Sequence, residues 1–339
     1  MRRLAVWLVL SMLVAGCARP ARPAPPVGTQ SEGAKLANRA PAVAESADAV
    51  VQTPPPPSPP APPEPPKAAI EPAQVLQGAF AVLQMDRAVS GNVKVQVQGL
   101  AEQPRVFLRG DRALAFIGFP ANAQVGVYPV TATWTAGSWK GSVTVVKKRF
   151  TEDRLTVTKD LTDIYYDPRQ DEEWRRLFAV RSNSEPRPLW RGAFQPPLAG
   201  KLEITTHFGE IRYVNGVETG RHSGMDFGAD TGTPVLAPAP GRVVLAERLI
   251  VTGWTIIIDH GYNLYTTYYH CDRVTVAPGD WVEPGQRIGT VGSTGFSTGP
   301  HLHWTATIGN TPVNPWPLTQ APPLEVVQWS LKPPPGIEE

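Results

Sequence analysis

Proline sets the first limit on this chain. It holds 38 prolines among 339 residues, about twice the usual share of roughly 5%. Proline lacks a backbone N–H and clashes with the preceding helical turn, and the 30 glycines weaken helices further. A single compact helical protein is excluded. The distribution says more. Sixteen prolines lie between Ala18 and Ala73, including Pro54–Pro57 and Pro65-Pro66, in a stretch with no aromatic residue and balanced charge. Such a segment cannot bury enough apolar surface to offset its conformational entropy. Residues 18–75 are expected to be a disordered tether, with polyproline II from Pro54 to Pro66 at ~3.1 Å per residue. A docking site for a proline-binding module is the alternative, but no residue singles it out.

Arg2 and Arg3 precede an apolar run from Leu4 to Gly16, shorter than the about 20 residues that span a membrane. Basic, then apolar, then small is the order of a secretory signal. Val14-Ala15-Gly16-Cys17 resembles the lipobox of bacterial lipoproteins. The resemblance implies cleavage before Cys17 and its lipidation; an ordinary signal with a chance cysteine is the alternative. Residues 1–17 are thus expected to be a lipoprotein signal. The mature chain would be exported and anchored to the membrane by lipid on Cys17, facing the periplasm. Ala18 rather than aspartate follows, which by the same resemblance implies the outer membrane where the cell has one. Cys271 is then left without a disulfide partner in the chain. A net charge of +2 with 18% charged residues creates no strong field for nucleic acid, so none is expected as a partner.

Beyond the tether the pattern turns to short strands. Val93, Val95 and Val97 alternate with polar residues, as do Tyr128, Val130, Ala132 and Trp134, the period of half-buried strands. Turn signals recur at about ten to fifteen residues. A small β-sandwich is expected over 76–150, with no catalytic constellation and an accessory role. Residues 151–190 read as a connector with one helix: Asp171-Glu172-Glu173 suits a helix N-terminus, and Trp174, Leu177, Phe178 and Arg181 form one stripe. Its Trp and Phe are expected in the core. Residues 191–318 return to strands, with apolar runs Val243–Leu245, Trp254–Ile258 and Leu264–Tyr269. Residues 319–339 are left as a tail. The fold class is mostly β: a sandwich, a short helical connector and a C-terminal antiparallel β domain.

All six histidines lie between His207 and His303. Two short pieces carry the chemistry: His222-Ser223-Gly224-Met225-Asp226 and His301-Leu302-His303. On a strand, residues two apart share a face, so His301 and His303 project together. His222 and Asp226 can do likewise if that piece is extended. Catalytic zinc takes three imidazole or carboxylate ligands and keeps a position for water. Two histidines and an aspartate make such a set, with one histidine left over beside the metal. Spacing does not say which, and a buried polar cluster is the alternative.

The order of motifs resembles the lysostaphin-like zinc endopeptidases, which cut peptide bonds in peptidoglycan. The resemblance runs from Ile204 to Pro315. It covers Ile204–Gly209, His222–Asp226, Gly232–Val235, Asp259–Gly261, Thr266–His270, Gly279–Val282, Gly292–Gly295 and Gly299–Trp304. It implies one Zn2+ per chain held by His222, Asp226 and His303, with His270 and His301 as catalytic histidines beside the metal. The upstream sandwich resembles an accessory domain found before some of these peptidases. Several places depart from, or add to, the family pattern. Thr305 stands where an acidic residue is common, which bears on ligand orientation. Cys271 follows His270 where leucine is usual; a buried inert thiol is expected over a fourth ligand. His260 is expected to be structural; His207 is expected in a turn, either as a surface histidine or bordering the substrate groove. The glycine-rich loop Gly292–Gly299 lacks a phosphate-loop lysine and is expected to wall a groove.

The implied function is zinc-dependent hydrolysis of peptidoglycan cross-link peptides. The default bond joins D-alanine to a diamino acid; a glycine bridge is the main alternative. The competing reading is a catalytically weak or inactive activator of another wall hydrolase. Relatives of that type have generally lost metal ligands, and here all five positions are intact. A biotinyl or lipoyl carrier needs an attachment lysine, and none occurs between Lys201 and Lys332. His-Glu-x-x-His and Ser-x-x-Lys are also absent. Regulatory protein partners are not legible in the residues.

Overall fold

The computed structural model describes residues 66–325, apart from 87–91 and 111. The signal, Cys17, nearly all of the tether and most of the tail lie outside the described residues. The fold is mostly β and its sheets are largely antiparallel. Among the described residues no helix is long and apolar enough to cross a membrane.

The expected sandwich is present and starts earlier than residue 76, with a strand at Ala68–Glu71. One sheet runs Ala68–Glu71, Phe80–Met85, Arg112–Gly118, Phe107–Arg109; the other runs Gln74–Leu76, Gly137–Val146, Gly126–Trp134, Lys94–Val97. In the second sheet the period of two holds: Val95, Val97, Tyr128, Val130 and Ala132 are buried. The first sheet differs, because it is buried on both faces. Ala81, Leu83, Ala115 and Ile117 point into the sandwich core. Phe80, Val82, Leu114 and Phe116 point the other way, into a cluster with Trp190, Phe194, Tyr262, Leu264 and Ile308. The sandwich and the C-terminal part thus share a core and, over the described residues, belong to one compact unit. Glu102 reinforces the junction, accepting from the Asn310 backbone N–H at 2.9 Å and the Thr311 hydroxyl at 2.9 Å.

The connector holds two helices, not one. Gln170–Val180 matches the acidic start and apolar stripe. Leu177 is buried and the Arg181 guanidinium reaches Thr267 Oγ1 at 3.0 Å, but Phe178 is 46% exposed, against the core role expected for it. The helix Lys159–Tyr165 was not expected; Thr158 caps it by accepting the Leu161 N–H, and Asp160 sits in its first turn. Before it, Glu152–Leu155 forms a strand parallel to Ile211–Val214.

The C-terminal part is built on one large sheet. Its order is Glu203–Thr206, Met225–Gly228, His301–Ile308, Leu264–Cys271, Gly253–Asp259, Gly241–Leu249, Trp281–Val282. The three apolar runs singled out above all lie on its inner strands. Their residues are almost fully buried, which places the core against the middle of this sheet and the histidine-bearing strands beside it.

Candidate metal centre

The cross-strand register assembles the site. In the strand pair Met225–Gly228 and His301–Ile308, Asp226 stands opposite His303 and Gly228 opposite His301. On the other side of the same central strand, Tyr269 stands opposite His303 and stacks on its ring, with centroids 5.0 Å apart and planes 15° off parallel. His301 and His303 do share a face, as alternation requires. His222 arrives differently. It precedes the strand and reaches the cluster across a bend at Gly224, not along one extended piece. A Cβ on Gly224 would press on the Trp304 carbonyl oxygen and come within 2.8 Å of His303 Nε2, so the bend needs glycine.

Three donor atoms converge. Asp226 Oδ1 lies 2.8 Å from His303 Nδ1 and 3.1 Å from His222 Nε2, and the two nitrogens are 2.9 Å apart. The three residues are 6% exposed or less. The far nitrogen of each ring is engaged elsewhere: His222 Nδ1–H donates to the His207 carbonyl at 3.0 Å, and His303 Nε2 pairs with Thr305 Oγ1 at 2.8 Å. With His303 Nε2–H donating to Thr305, the near atoms are two imidazole lone pairs and a carboxylate oxygen. Lone pairs do not stabilise one another in a buried pocket; a cation satisfies all three. His222, Asp226 and His303 also form a group whose ligand atoms all lie within 4.8 Å of one another. The donor set of two imidazoles and one carboxylate fits zinc. Burial pushes the Asp226 carboxyl up, but the adjoining His222 and His303 rings outweigh it and hold it well below the usual carboxylate range.

The two remaining histidines stand at the rim. His301 Nε2 lies 3.9 Å from Asp226 Oδ1, and the His270 and His301 rings are 4.8 Å apart. Each donates its Nδ1–H to a main-chain carbonyl at 2.8 Å, His270 to Thr294 and His301 to Gly299. That tautomer leaves Nε2 as a free acceptor. His270 gains its direction from an irregularity. The pairing register slips between Trp254 and Ile256, and His270 takes φ = 62°. A bulge re-aims a side chain in this way, and left-handed backbone at a bulky residue is a strained conformation kept at functional positions. Burial, with repulsion from His301 and His303, pushes the His270 imidazole down to about 3, so it is neutral at neutral pH.

The other expectations resolve as follows. Cys271 lies in the core with no exposure, and burial pushes its thiol up to about 12; it is no fourth ligand. His260 is fully buried between the Pro240 carbonyl and Thr266 Oγ1, both at 2.8 Å. His207 is half-buried, and its main chain supports the site by receiving His222. Phe296 to Gly299 wall a cleft of about 260 Å3 that opens on His270, His301 and His303.

Sequence reasoning missed Arg212. Its guanidinium lies 3.7 Å from Asp226 Oδ2, an ion pair rather than a hydrogen bond, while its Nε–H donates to Asp153 Oδ2 at 2.6 Å. Arg212 therefore engages the carboxylate oxygen that faces away from the histidines, and Asp153 balances the extra charge. The only sequence signal was a charged residue inside the short apolar run Ile211–Val214. Nothing linked it to Asp153, 59 positions earlier.

Comparison with known proteins places this geometry. The profile of peptidase family M23 matches residues 220–315, which carry all five histidine and aspartate positions. The peptidoglycan DD-endopeptidase ShyA of Vibrio cholerae is 38% identical over 125 residues, 36% of this chain and 29% of ShyA. The chain spans less than a third of the length of the curated relatives it matches. A crystal structure assigned to peptidase M23 from Pseudomonas aeruginosa covers 72% of this chain and 94% of its own, at 26% identity and a TM-score of 0.53. The catalytic domain of the prophage-encoded M23 protein EnpA of Enterococcus faecalis is 35% identical over 95% of its length and 36% of this chain, with a TM-score of 0.32. With the matched residues enclosing the donor cluster, the C-terminal β part of the chain carries a peptidase family M23 domain.

Proposed function

We propose that this protein is a metal-dependent endopeptidase that hydrolyses peptide cross-links of peptidoglycan. One observation carries the reading: three buried donor atoms converge beside an open cleft, with two further imidazole acceptors at its rim. His222, Asp226 and His303 would hold a zinc ion. Bound there, zinc supplies Lewis-acid polarisation of the scissile carbonyl and acidifies a water. The residues of the chain do the rest. His270 and His301, each fixed by its Nδ1–H, offer Nε2 to take the proton of the attacking water or to deliver one to the leaving amine. Arg212 keeps Asp226 Oδ1 turned to the imidazoles. The walls from Phe296 to Gly299 align an extended peptide.

The name of ShyA supports a bond between two D-centres, D-alanine to the diamino acid, over a glycine bridge. Lipid on Cys17 would keep the enzyme at the envelope within reach of the wall. Relatives that act only as activators have generally lost metal ligands, so the complete donor set supports the enzyme reading.

The test is digestion of purified cross-linked peptidoglycan by the full-length chain, with fragments read by mass spectrometry. Loss of cross-linked dimers is expected, abolished by His303→Ala and by chelation. Intact dimers after incubation with zinc-loaded, folded protein would overturn the proposal.

A further inference from the structure

A second cavity, of about 410 Å3, opens between residues 189–195, Pro238–Pro240 and the stretch Trp281–Pro284. It shares no lining residue with the metal cleft, and its size falls within the range of small-ligand pockets. Trp281 is 44% exposed, whereas large aromatics are mostly buried. Its indole N–H donates to Glu283 Oε1 at 2.7 Å, so the ring is pinned while its face stays open. The walls are preformed. The Gln195 backbone N–H donates to the Pro238 carbonyl at 2.7 Å, and Trp190 behind them is buried. The rim carries one cation, Arg191, one anion, Glu283, and one amide, Gln195. Their charges cancel, which disfavours an ionic ligand. A pinned aromatic face beside a carboxylate, a guanidinium and an amide is the chemistry that holds a sugar ring. The C–H face stacks on the indole, and the hydroxyls donate to the carboxylate and accept from the other two.

We propose that this cavity binds a saccharide, and that its ligand is the glycan strand to which the cleaved peptide is attached. The second clause rests on the function proposed above. The placement suits it. Trp281–Val282 is the edge strand of the large sheet, five strand steps from Met225–Gly228. At about 4.8 Å per step the two strands lie about 24 Å apart across the sheet, the reach of about seven extended residues. A glycan held at Trp281 thus lies on the same sheet as the metal cleft, and the sugars between Trp281 and the peptide's attachment point share the span with the peptide.

The experiment uses the full-length chain and two probes: peptide-free glycan strands in a pelleting assay, and chitotetraose observed by saturation-transfer NMR. Native protein and His303→Ala should bind both alike. Trp281→Ala should weaken binding about tenfold or more, and Glu283→Gln should weaken it less, with unfolding midpoint and zinc content unchanged in both. On intact peptidoglycan Trp281→Ala should raise KM and leave kcat; on glycan-free cross-linked peptides it should change neither. No binding of either probe by native protein, or equal binding by Trp281→Ala, overturns the saccharide site. Loss of hydrolysis in native protein with Trp281-dependent glycan binding retained would strike the proposed enzyme function and leave the site standing.

Discussion

Thr305 is the sharpest place to perturb the centre without touching a ligand. Its hydroxyl lies 2.8 Å from His303 Nε2, and the pair is buried. Thr305→Val keeps the shape and deletes the partner. A buried imidazole N–H left unsatisfied costs about 1–3 kcal/mol, which corresponds to roughly 5- to 150-fold in an equilibrium constant. Loss of a group that orients a metal ligand commonly costs about 10- to 100-fold in affinity. Ser223 Oγ stands 3.4 Å from the same nitrogen and can take over part of the bond. The expected loss of zinc affinity is therefore near the lower end, about tenfold, and approaches about a hundredfold in Ser223→Ala/Thr305→Val. Competition against a fluorescent chelator at neutral pH measures both. Native affinity within twofold in the folded double variant would refute the claim that these hydroxyls fix the His303 tautomer.

Other residues give independent readouts. Gly224→Ala forces a Cβ to within 2.6 Å of Thr305 Oγ1 and 2.8 Å of His303 Nε2; purified protein should retain under about a tenth of native zinc by elemental analysis, and near-native content would refute the need for glycine at the bend. Burial pushes His260 down to about 4, below its unfolded value of about 6.5. The unfolded chain thus binds the extra proton between those values, and stability present above about pH 6.5 is lost as pH falls toward 4, by roughly 3 kcal/mol. Urea titrations from pH 7 to 4 should show this slope reduced by close to one proton in His260→Gln; an equal slope would remove His260 as its source. Cys271, buried with its thiol raised, should react with a thiol reagent only after denaturation, and rapid labelling of native protein would contradict its place in the core.

The parts of the fold legible in the sequence were those with one wet face or one chemical role. Val95, Val97, Tyr128 and Val130 alternate with exposed residues and disclosed the sandwich. Histidines two apart disclosed the face shared by His301 and His303. What stayed hidden depends on tertiary contact. Phe80–Met85 and Arg112–Gly118 are apolar on both faces, so period two is lost in them and their second packing surface left no mark. The strand Glu152–Leu155 has charged residues at three of four positions and gains its strand only from Ile211–Val214. Asp153 and Arg212 meet through that pairing. The aim of His270 comes from a register slip that residue types do not encode.

The shared core moves the start of the folding unit that carries the donor cluster upstream of residue 220. The cleft draws Leu155, Thr205, Thr206 and Arg212 from before residue 220, so the family-length stretch 220–315 lacks part of its own wall. The dependence reaches further upstream. Phe80, Val82, Phe107, Leu114 and Phe116 cover Trp190, Tyr262, Leu264 and Ile308 from the sandwich side. At about 2 kcal/mol per buried side chain the five contribute roughly 10 kcal/mol as an upper figure, comparable with the whole stability of a typical domain. A fragment of residues 151–325, which removes only the sandwich and the outer segments, should therefore be insoluble or unfold far below the full chain, even though it holds every candidate metal ligand. Expression of that fragment with circular-dichroism melting decides the matter. A cooperative transition at the full-length midpoint, with native zinc affinity, would show that the sandwich is dispensable and that the joint cluster contributes little. The opposite result would make the sandwich part of the scaffold that holds Tyr262 and Leu264, and through the strand Leu264–Cys271, the bulge that aims His270.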